Sequence, residues 1–428
     1  MTTPPAVAPL SDAMFALTLG LLLLAPLAIA GVALLNTGLG RSRSAAQALL
    51  GCVTLVAVAA IAFAVVGASF AGGPGHALRI AGKSWGWIGN APLLLWHFYA
   101  LDPAAQLGVL FQFLAAGLLA IIPWGSGADR VRLPAGCAVT AVLAGGIFPV
   151  FAHWTWGGGW LARLGTDFGL GAGFLDGAGA ASVHAVGGLS ALAVVWIAGA
   201  RRGKFPKEGL ATAMPGHNAV YILFGCLLAL VGWLAWNVAG AILRLHTAPG
   251  GLAVTAINTV LCAAAALVAT FTVTRTRFGK PDASMCANGW LAGLVSSSAC
   301  AAIVNPAEAI LVGAIAGIAA PLLVELLELA LSIDDPSGAI SVHAAGGLWG
   351  LFAAGLFAPR PGQVLGQLVG IATLLGFVFP LVYLLFAILN RIIPFRVEPD
   401  GERLGMDLYE LGGGAYPEFV IHRDESYR

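Results

Sequence analysis

The sequence predicts an all-α polytopic membrane protein of eleven transmembrane helices, arranged as an inverted five-helix repeat plus an eleventh helix. Three observations lead there. Of the 428 residues, 59% are hydrophobic and only 10% charged, against about 25% charged in an average soluble domain. The apolar residues gather in stretches of about 20, the length that crosses a hydrocarbon core of about 30 Å. One octapeptide occurs twice. So little charge cannot keep a soluble globule of this size wet, which excludes a lone secreted domain, a disordered chain and a nucleic-acid partner. The 58 glycines are in keeping, since glycine is commoner in membrane helices than in soluble ones.

Cutting at charged or Pro/Gly/Asp-rich breaks places the spans at about 13–35, 45–69, 105–125, 134–154, 177–199, 218–243, 251–274, 283–303, 307–331, 337–358 and 363–390. Residues 1–12 are a short external terminus without the basic start of a cleavable signal. The stretch 91–100 (APLLLWHFYA) is too short to span and is expected in an outer loop. The membrane domain is thus 13–390, with halves at about 13–199 and 218–358 and span 11 at about 363–390. A cytoplasmic tail, 391–428, is the one substantial polar segment.

Orientation follows from Lys and Arg, which accumulate on the cytoplasmic side. The loops after spans 1, 3, 5, 7 and 9, together with the tail, hold 16 of the 21 basic residues. The alternate loops hold five: Arg79, Lys83, Arg163, Arg244 and Arg360. The N-terminus is therefore expected outside and the C-terminus inside a cell membrane. Cys52, Cys137, Cys226, Cys262, Cys286 and Cys300 lie in apolar runs without CxxC spacing and read as small core residues.

The repeated octapeptide reads SVHAVGGL at 182–189 and SVHAAGGL at 341–348, and an aspartate stands eight positions before each histidine, Asp176 before His184 and Asp335 before His343. Duplicated halves with an odd number of spans are inverted relative to each other. Asp335–Pro336 reads as a helix N-cap followed by Pro at the first helical position, and Asp176 as its counterpart. Eight helical residues rise about 12 Å, so histidines entering from opposite faces meet near mid-membrane. The small residues around them let two backbones approach closely. Ionisable residues at that depth usually mark a pathway; a hydrogen-bonded structural role is the alternative for the histidines, and plain helix capping suffices for the aspartates.

A pair of rings in contact can share one proton, donate to a neutral amine or accept its proton. Two histidines without a third ligand make a poor zinc site, and no nucleophile stands where an enzyme would need one. No cofactor or metal is expected. A second cluster, His153-Trp154-Thr155-Trp156-Gly157-Gly158-Gly159-Trp160, ends span 4. Its rings are either interfacial anchors or the wall of a vestibule where a cation rests on ring faces. Trp233, Trp236 and Asn237 sit inside the apolar span 6, with Asn237 expected to face away from lipid.

These motifs resemble those of the ammonium transporter (Amt/methylammonium permease/Rhesus) family over nearly the whole chain. The matches are the two D-x7-H pairs, WGGGW after span 4, FQ…DR (Phe111, Gln112, Asp129, Arg130), RTRFGKP, DDP before span 10 and the tail RVEPDGERLGMDLYELGGGAY. The resemblance implies a homotrimer of eleven-helix protomers, each with its own hydrophobic pore. Ammonium, and methylammonium as a second candidate, would be recruited outside, deprotonated and passed along the twin histidines, here His184 and His343. Trp156 matches the outer-site tryptophan, Asp176 the structural aspartate and Ser298 a pore-side hydroxyl, which with Phe113 makes the candidate vestibule. Three positions depart: the outer gate phenylalanine falls on Ala115, the second gate ring on Trp236, and the cation-holding serine on Gly240. Losing one ring and one hydroxyl is expected to weaken cation binding by on the order of 1 kcal/mol each. Family members with such tails are controlled by PII-type regulators; this tail keeps the G-x-D and A-Y landmarks without the usual His-Gly-Glu. A Rhesus-like neutral gas channel and a non-conducting ammonium receptor are the rival readings.

Overall fold

The computed structural model describes residues 10–416; residues 1–9 and 417–428, the start of the N-terminal segment 1–12 and the end of the tail, lie outside it. Eleven long helical stretches run α1 (Asp12–Leu39), α2 (Ser42–Ala71), α3 (Pro103–Ser126), α4 (Leu133–Thr155), α5 (Ala180–Ala198), α6 (Ala219–Leu245), α7 (Pro249–Phe278), α8 (Ala283–Cys300), α9 (Pro306–Ala330), α10 (Ile340–Phe357) and α11 (Gln363–Ile392). Among the described residues, ten are long and apolar enough to cross a membrane. The other, α8, has the length but carries Asn288, Ser296, Ser297 and Ser298. It tolerates them because neighbouring helices surround it: Ser296 donates to Gly346 O at 3.0 Å, and Ser297 accepts from Asn237 Nδ2 at 2.8 Å. A polar group in the bundle interior costs little once it is paired.

Start and stop signals are local. Asp102, Asn218, Asp282 and Asn305 each accept a backbone N–H of the first turn that follows, the ordinary N-cap. The first helices of the two halves, α1 and α6, meet along Ala28, Gly31, Gly225, Ala229 and Gly232; a Cβ on Gly31 would run into the Ala229 and Gly225 backbone. Without a hydrophobic drive between helices in lipid, such close approach is what holds them together.

The two histidine-bearing helices depart from the expected capping. Pro336 lies in a turn, and α10 begins only at Ile340, so Asp335 is not the residue next to the helix. Its carboxylate instead reaches across the turn to Ile340 N at 2.8 Å and accepts from Ser126 Oγ at 2.7 Å. Asp176 likewise accepts from Ala181 N at 3.1 Å, Ser182 N at 2.9 Å and Ser182 Oγ at 2.6 Å. In both copies the histidine lies in a widened first turn, Ala180–Ala185 and Ile340–Ala345; His184 N bonds Gly179 O, five residues back. The half-helices are therefore shorter than an eight-residue rise implies, and broken chain brings each histidine to depth. Such chain is tolerated in a membrane only where protein buries it.

One unforeseen element is an antiparallel hairpin, β1 (His76–Ile80) and β2 (Lys83–Ile88), turning at Ala81–Gly82. It follows α2, and its tryptophans pin it to the end of α4: Trp85 stacks on Trp160 at 5.3 Å, and Trp154 Nε1 donates to Trp87 O at 2.7 Å.

The opposite end of the bundle is held by buried charge. Asp334 accepts Arg201 Nε and Nη2, both at 2.9 Å, and Asp129 accepts Arg201 Nη1 at 3.1 Å. Arg130 Nη2 donates to Asp334 O at 2.8 Å and Nε to Gly199 O at 2.7 Å. The tail docks beneath through carboxylates at helix N-termini. Asp407 accepts Ala46 N and Gln47 N of α2, Glu410 accepts Leu133 N of α4, and Glu402 pairs with Arg396. Anions there meet unpaired N–H groups and the positive helix end.

Burial alone would raise the Asp334 carboxyl, but the Arg201 hydrogen bonds and the Arg130 and Arg201 charges pull it down to about 2 from 3.8. A depressed carboxyl stabilises the fold above its unfolded value. That contribution, about 2 kcal/mol, fades as pH falls from about 4 through about 2. Asp334→Asn, which leaves Arg201 with Asp129 as its remaining carboxylate partner, is expected to cost about 3 kcal/mol at pH 7. Thermal melts in detergent check this, with the gap to the parent protein narrowing below pH 4.

Candidate functional site: a buried histidine pair behind an aromatic entry

The interior site is made where the widened turns of α5 and α10 cross. His184 Nδ1 and His343 Nδ1 lie 3.2 Å apart, so one nitrogen carries the proton and the other accepts it. Both rings are buried. Reciprocal glycines permit the crossing. A Cβ on Gly188 would strike the Ala344 backbone, and one on Gly347, its counterpart in the repeat, would lie 2.5 Å from Ala180 O and 3.1 Å from Ala185 N. The octapeptide's final glycine thus sets how closely the two copies approach.

Trp233 of α6 stacks on His184 with ring centres 5.1 Å apart and planes 14° apart. Its indole N–H donates to Ser298 Oγ at 3.0 Å. Ser298, grouped above with the vestibule, is buried; its hydroxyl holds Trp233 and its carbonyl accepts from Ala178 N at 2.8 Å. His184 Nε2 is buried with no partner in the protein, a donor or acceptor beside the shared proton.

Toward the hairpin end, Phe111 of α3 and Trp236 of α6 stack with centres 4.3 Å apart and planes 24° apart. Trp156 stands edge-on to Phe111 at 5.5 Å, its indole N–H donating to Asp176 O at 2.6 Å. Beyond them opens a cavity of about 990 Å³ lined by Trp156, Gln112, His97, Asp102 and Arg244. Several expectations change here. Phe113 lies outside this cavity, edge-on to Phe63 at 6.1 Å. Ala115 is fully buried and supplies no ring; Phe111, one turn earlier, does. Trp154 and Trp160 belong to the hairpin cluster, so of the tryptophans ending α4 it is Trp156 that lines the cavity. The stretch 91–100 folds as short turns and contributes Pro92, Leu95, His97 and Phe98 to the cavity rim.

Trp236 Nε1 donates to Ala178 O at 2.7 Å, drawing the 177–178 chain against α6. Gly240 is where it arrives: a Cβ there would stand 2.5 Å from Gly177 O and 2.9 Å from Ala178 Cβ. Gly240 is therefore more than a missing hydroxyl, because backbone fills the space a serine would need. Asn237 is buried, with Nδ2 donating to Ser297 Oγ at 2.8 Å and Thr259 Oγ1 at 3.0 Å.

Arg244 was read from the sequence only as a loop charge. The spacing Trp233, Trp236, Gly240, Arg244 is that of one helical face, and this signal could have placed it at the entry. Its guanidinium lies over both Trp156 and Phe111.

Comparison with known proteins agrees with this architecture. A family model described as Ammonium Transporter Family matches residues 14–416. The chain is 34% identical over 417 residues to the ammonium transporter Amt2 of Archaeoglobus fulgidus, covering 92% of this chain and 86% of that one. It is 29% identical to an ammonium transporter of Bacillus subtilis, covering 91% and 94%. Among solved structures, one titled "Sensor Amt Protein" superposes with a TM-score of 0.84 at 27% identity, covering 92% of this chain and 97% of that one. Candida albicans Mep2, at 24% identity and a TM-score of 0.75 over 90% of this chain and 86% of that one, shares the fold.

Gly240→Ser is expected to destabilise the protein by about 1–3 kcal/mol through overpacking and not to tighten ammonium binding. A lowered melting temperature in detergent, with no gain in ammonium binding by calorimetry, is the result that agrees.

Proposed function

The chain belongs to the ammonium transporter family, and from that premise we propose that it moves ammonium across a cell membrane through a pathway within each protomer. Proteins of this family are transporters, not enzymes. In this reading the cation is drawn to the cavity at Trp156 and gives up its proton; the ammonia passes the Phe111–Trp236 pair and travels along His184 and His343, and the released proton is relayed separately through the hydrogen-bonded histidine pair, so that one positive charge crosses with each ammonia. The observation that carries the reading is the buried Nδ1-to-Nδ1 contact with His184 Nε2 left free. The pair can accept a hydrogen bond from ammonia at one point and donate at another, which water-free apolar walls cannot.

The supporting physics is that charge is expensive at this depth and a small neutral amine is not. Trp156 and Phe111 present ring faces suited to a cation, whereas the stacked Phe111–Trp236 pair beyond them closes the direct route. Moving these rings is the gating step. The N-terminus lies outside, the inner face carries the Arg201–Asp334 network, and the protomers assemble as trimers. The docked tail, with Asp407 and Glu410 beneath α2 and α4 and Glu402 on Arg202, is where a PII-type regulator would act. A receptor reading draws on the likeness to the structure titled as a sensor, together with the closed ring pair.

Electrical recording from proteoliposomes on a supported membrane separates these readings. The expected result is an ammonium-evoked current that His184→Ala lowers by on the order of tenfold or more, with assembly unchanged on size exclusion. Uptake without current points to a neutral gas channel, and binding without flux to a receptor. A current that neither His184→Ala nor His343→Ala alters contradicts the pathway.

A further inference from the structure

The last turn of α6 carries Arg244, eight residues beyond Trp236, and its side chain turns back over the entry. The guanidinium carbon lies 4.9 Å from the Trp156 ring centre and 5.3 Å from that of Phe111. Nη2 donates to Gly108 O at 3.0 Å, and Nε is buried with no partner. Two ring faces within about 6 Å of one cation make an attractive cage. The cage assigned above to an incoming ammonium therefore already holds a cation, and that cation is tethered to the chain.

We propose that Arg244 is a specificity-determining residue: its guanidinium occupies the Trp156–Phe111 cage at rest, and free ammonium enters by displacing it into the adjoining cavity. The proposal rests on the reading of Trp156 as the entry. Two like charges cannot share the cage, since their repulsion at contact in a partly dry site exceeds what one ring face supplies. Displacement is feasible because little holds the side chain. It has one hydrogen bond, to Gly108 O, and an unsatisfied Nε that regains a partner on reaching water. The Asp176 carboxylate attracts it by charge but makes no hydrogen bond to it, its oxygens accepting from Ala181 and Ser182. The cavity of about 990 Å³ that Arg244 itself lines has room for the displaced group.

A tethered competitor lowers apparent affinity by the fraction of time the cage stands empty. It also sets a threshold: the entry responds to ammonium only when its concentration rivals that of the tethered guanidinium. Larger cations, which must displace the arm and also fit the space between the rings, are penalised further.

Arg244→Gln tests this, because an amide keeps a donor for Gly108 O and removes the charge; Arg244→Lys keeps the charge. In proteoliposomes, Arg244→Gln is expected to lower the half-saturating ammonium concentration by on the order of tenfold, with Arg244→Lys close to the parent protein. A half-saturation unchanged or raised in Arg244→Gln overturns the proposal. Calorimetry with guanidinium chloride at low millimolar concentration reads the cage without any flux. Saturable binding to Arg244→Gln and not to the parent protein supports it, and equal binding to both overturns it. A parent protein without ammonium flux would sink the transport reading alone, since the guanidinium titration decides the cage by itself.

Discussion

Bringing two histidine rings to hydrogen-bond distance inside an apolar bundle is the constraint on which most of this structure depends. The contact at 3.2 Å requires two helices to cross almost backbone to backbone, which only a stripe of small residues allows. Gly188 against Ala344 and Gly347 against Ala180 meet that need symmetrically. The helices must also begin deep in the protein, leaving N–H groups that no water can reach. Asp176 and Asp335 accept those groups, and Ser182 and Ser126 in turn occupy the aspartates. Each layer out from the histidines thus satisfies a demand created by the layer within. Trp233, stacked on His184 and held by Ser298, fixes the ring plane from the side.

Charge is distributed by the same economy. A chain with 10% charged residues spends much of it at one end, where Arg130, Arg201, Asp129 and Asp334 neutralise one another and tie the α3–α4 loop to the chains leaving α5 and α9. Such a network fixes geometry more than it adds stability, because desolvation consumes most of its Coulomb energy. The tail joins this end through carboxylates at helix N-termini. The tail thus contacts α2 and α4, whose other ends carry the hairpin and Trp156.

The spans were legible because hydrocarbon thickness leaves few choices of length; most observed boundaries fall within a few residues of those expected from the sequence. The histidine pair was legible because a repeat matching at seven of eight positions, in halves of odd span number, implies inversion. What escaped was set by contacts distant in sequence. The hairpin at 76–88 depends on Trp154 and Trp160, nearly 70 residues on, and its strands carry little apolar alternation. The capping turns at Asp176 and Asp335 escaped because a D-P pair ordinarily starts a helix directly, whereas here buried Ser126 and Ser182 reward a broken turn. The stacking of Phe111 on Trp236 escaped because it joins α3 to α6, a pairing that no local spacing announces. Arg244 escaped because charge counting treats a helix-end arginine as solvated.

Nitrogen-15 solid-state NMR on histidine-labelled protein in lipid bilayers addresses the shared proton most directly. The expected spectrum at neutral pH shows, for His184 and His343, one protonated and one unprotonated Nδ1 joined by a through-hydrogen-bond coupling, with the His184 signals and the coupling lost in His184→Ala. Two rings each protonated at Nε2 alone, with no coupling between the Nδ1 atoms, would contradict the paired geometry and the pathway built on it.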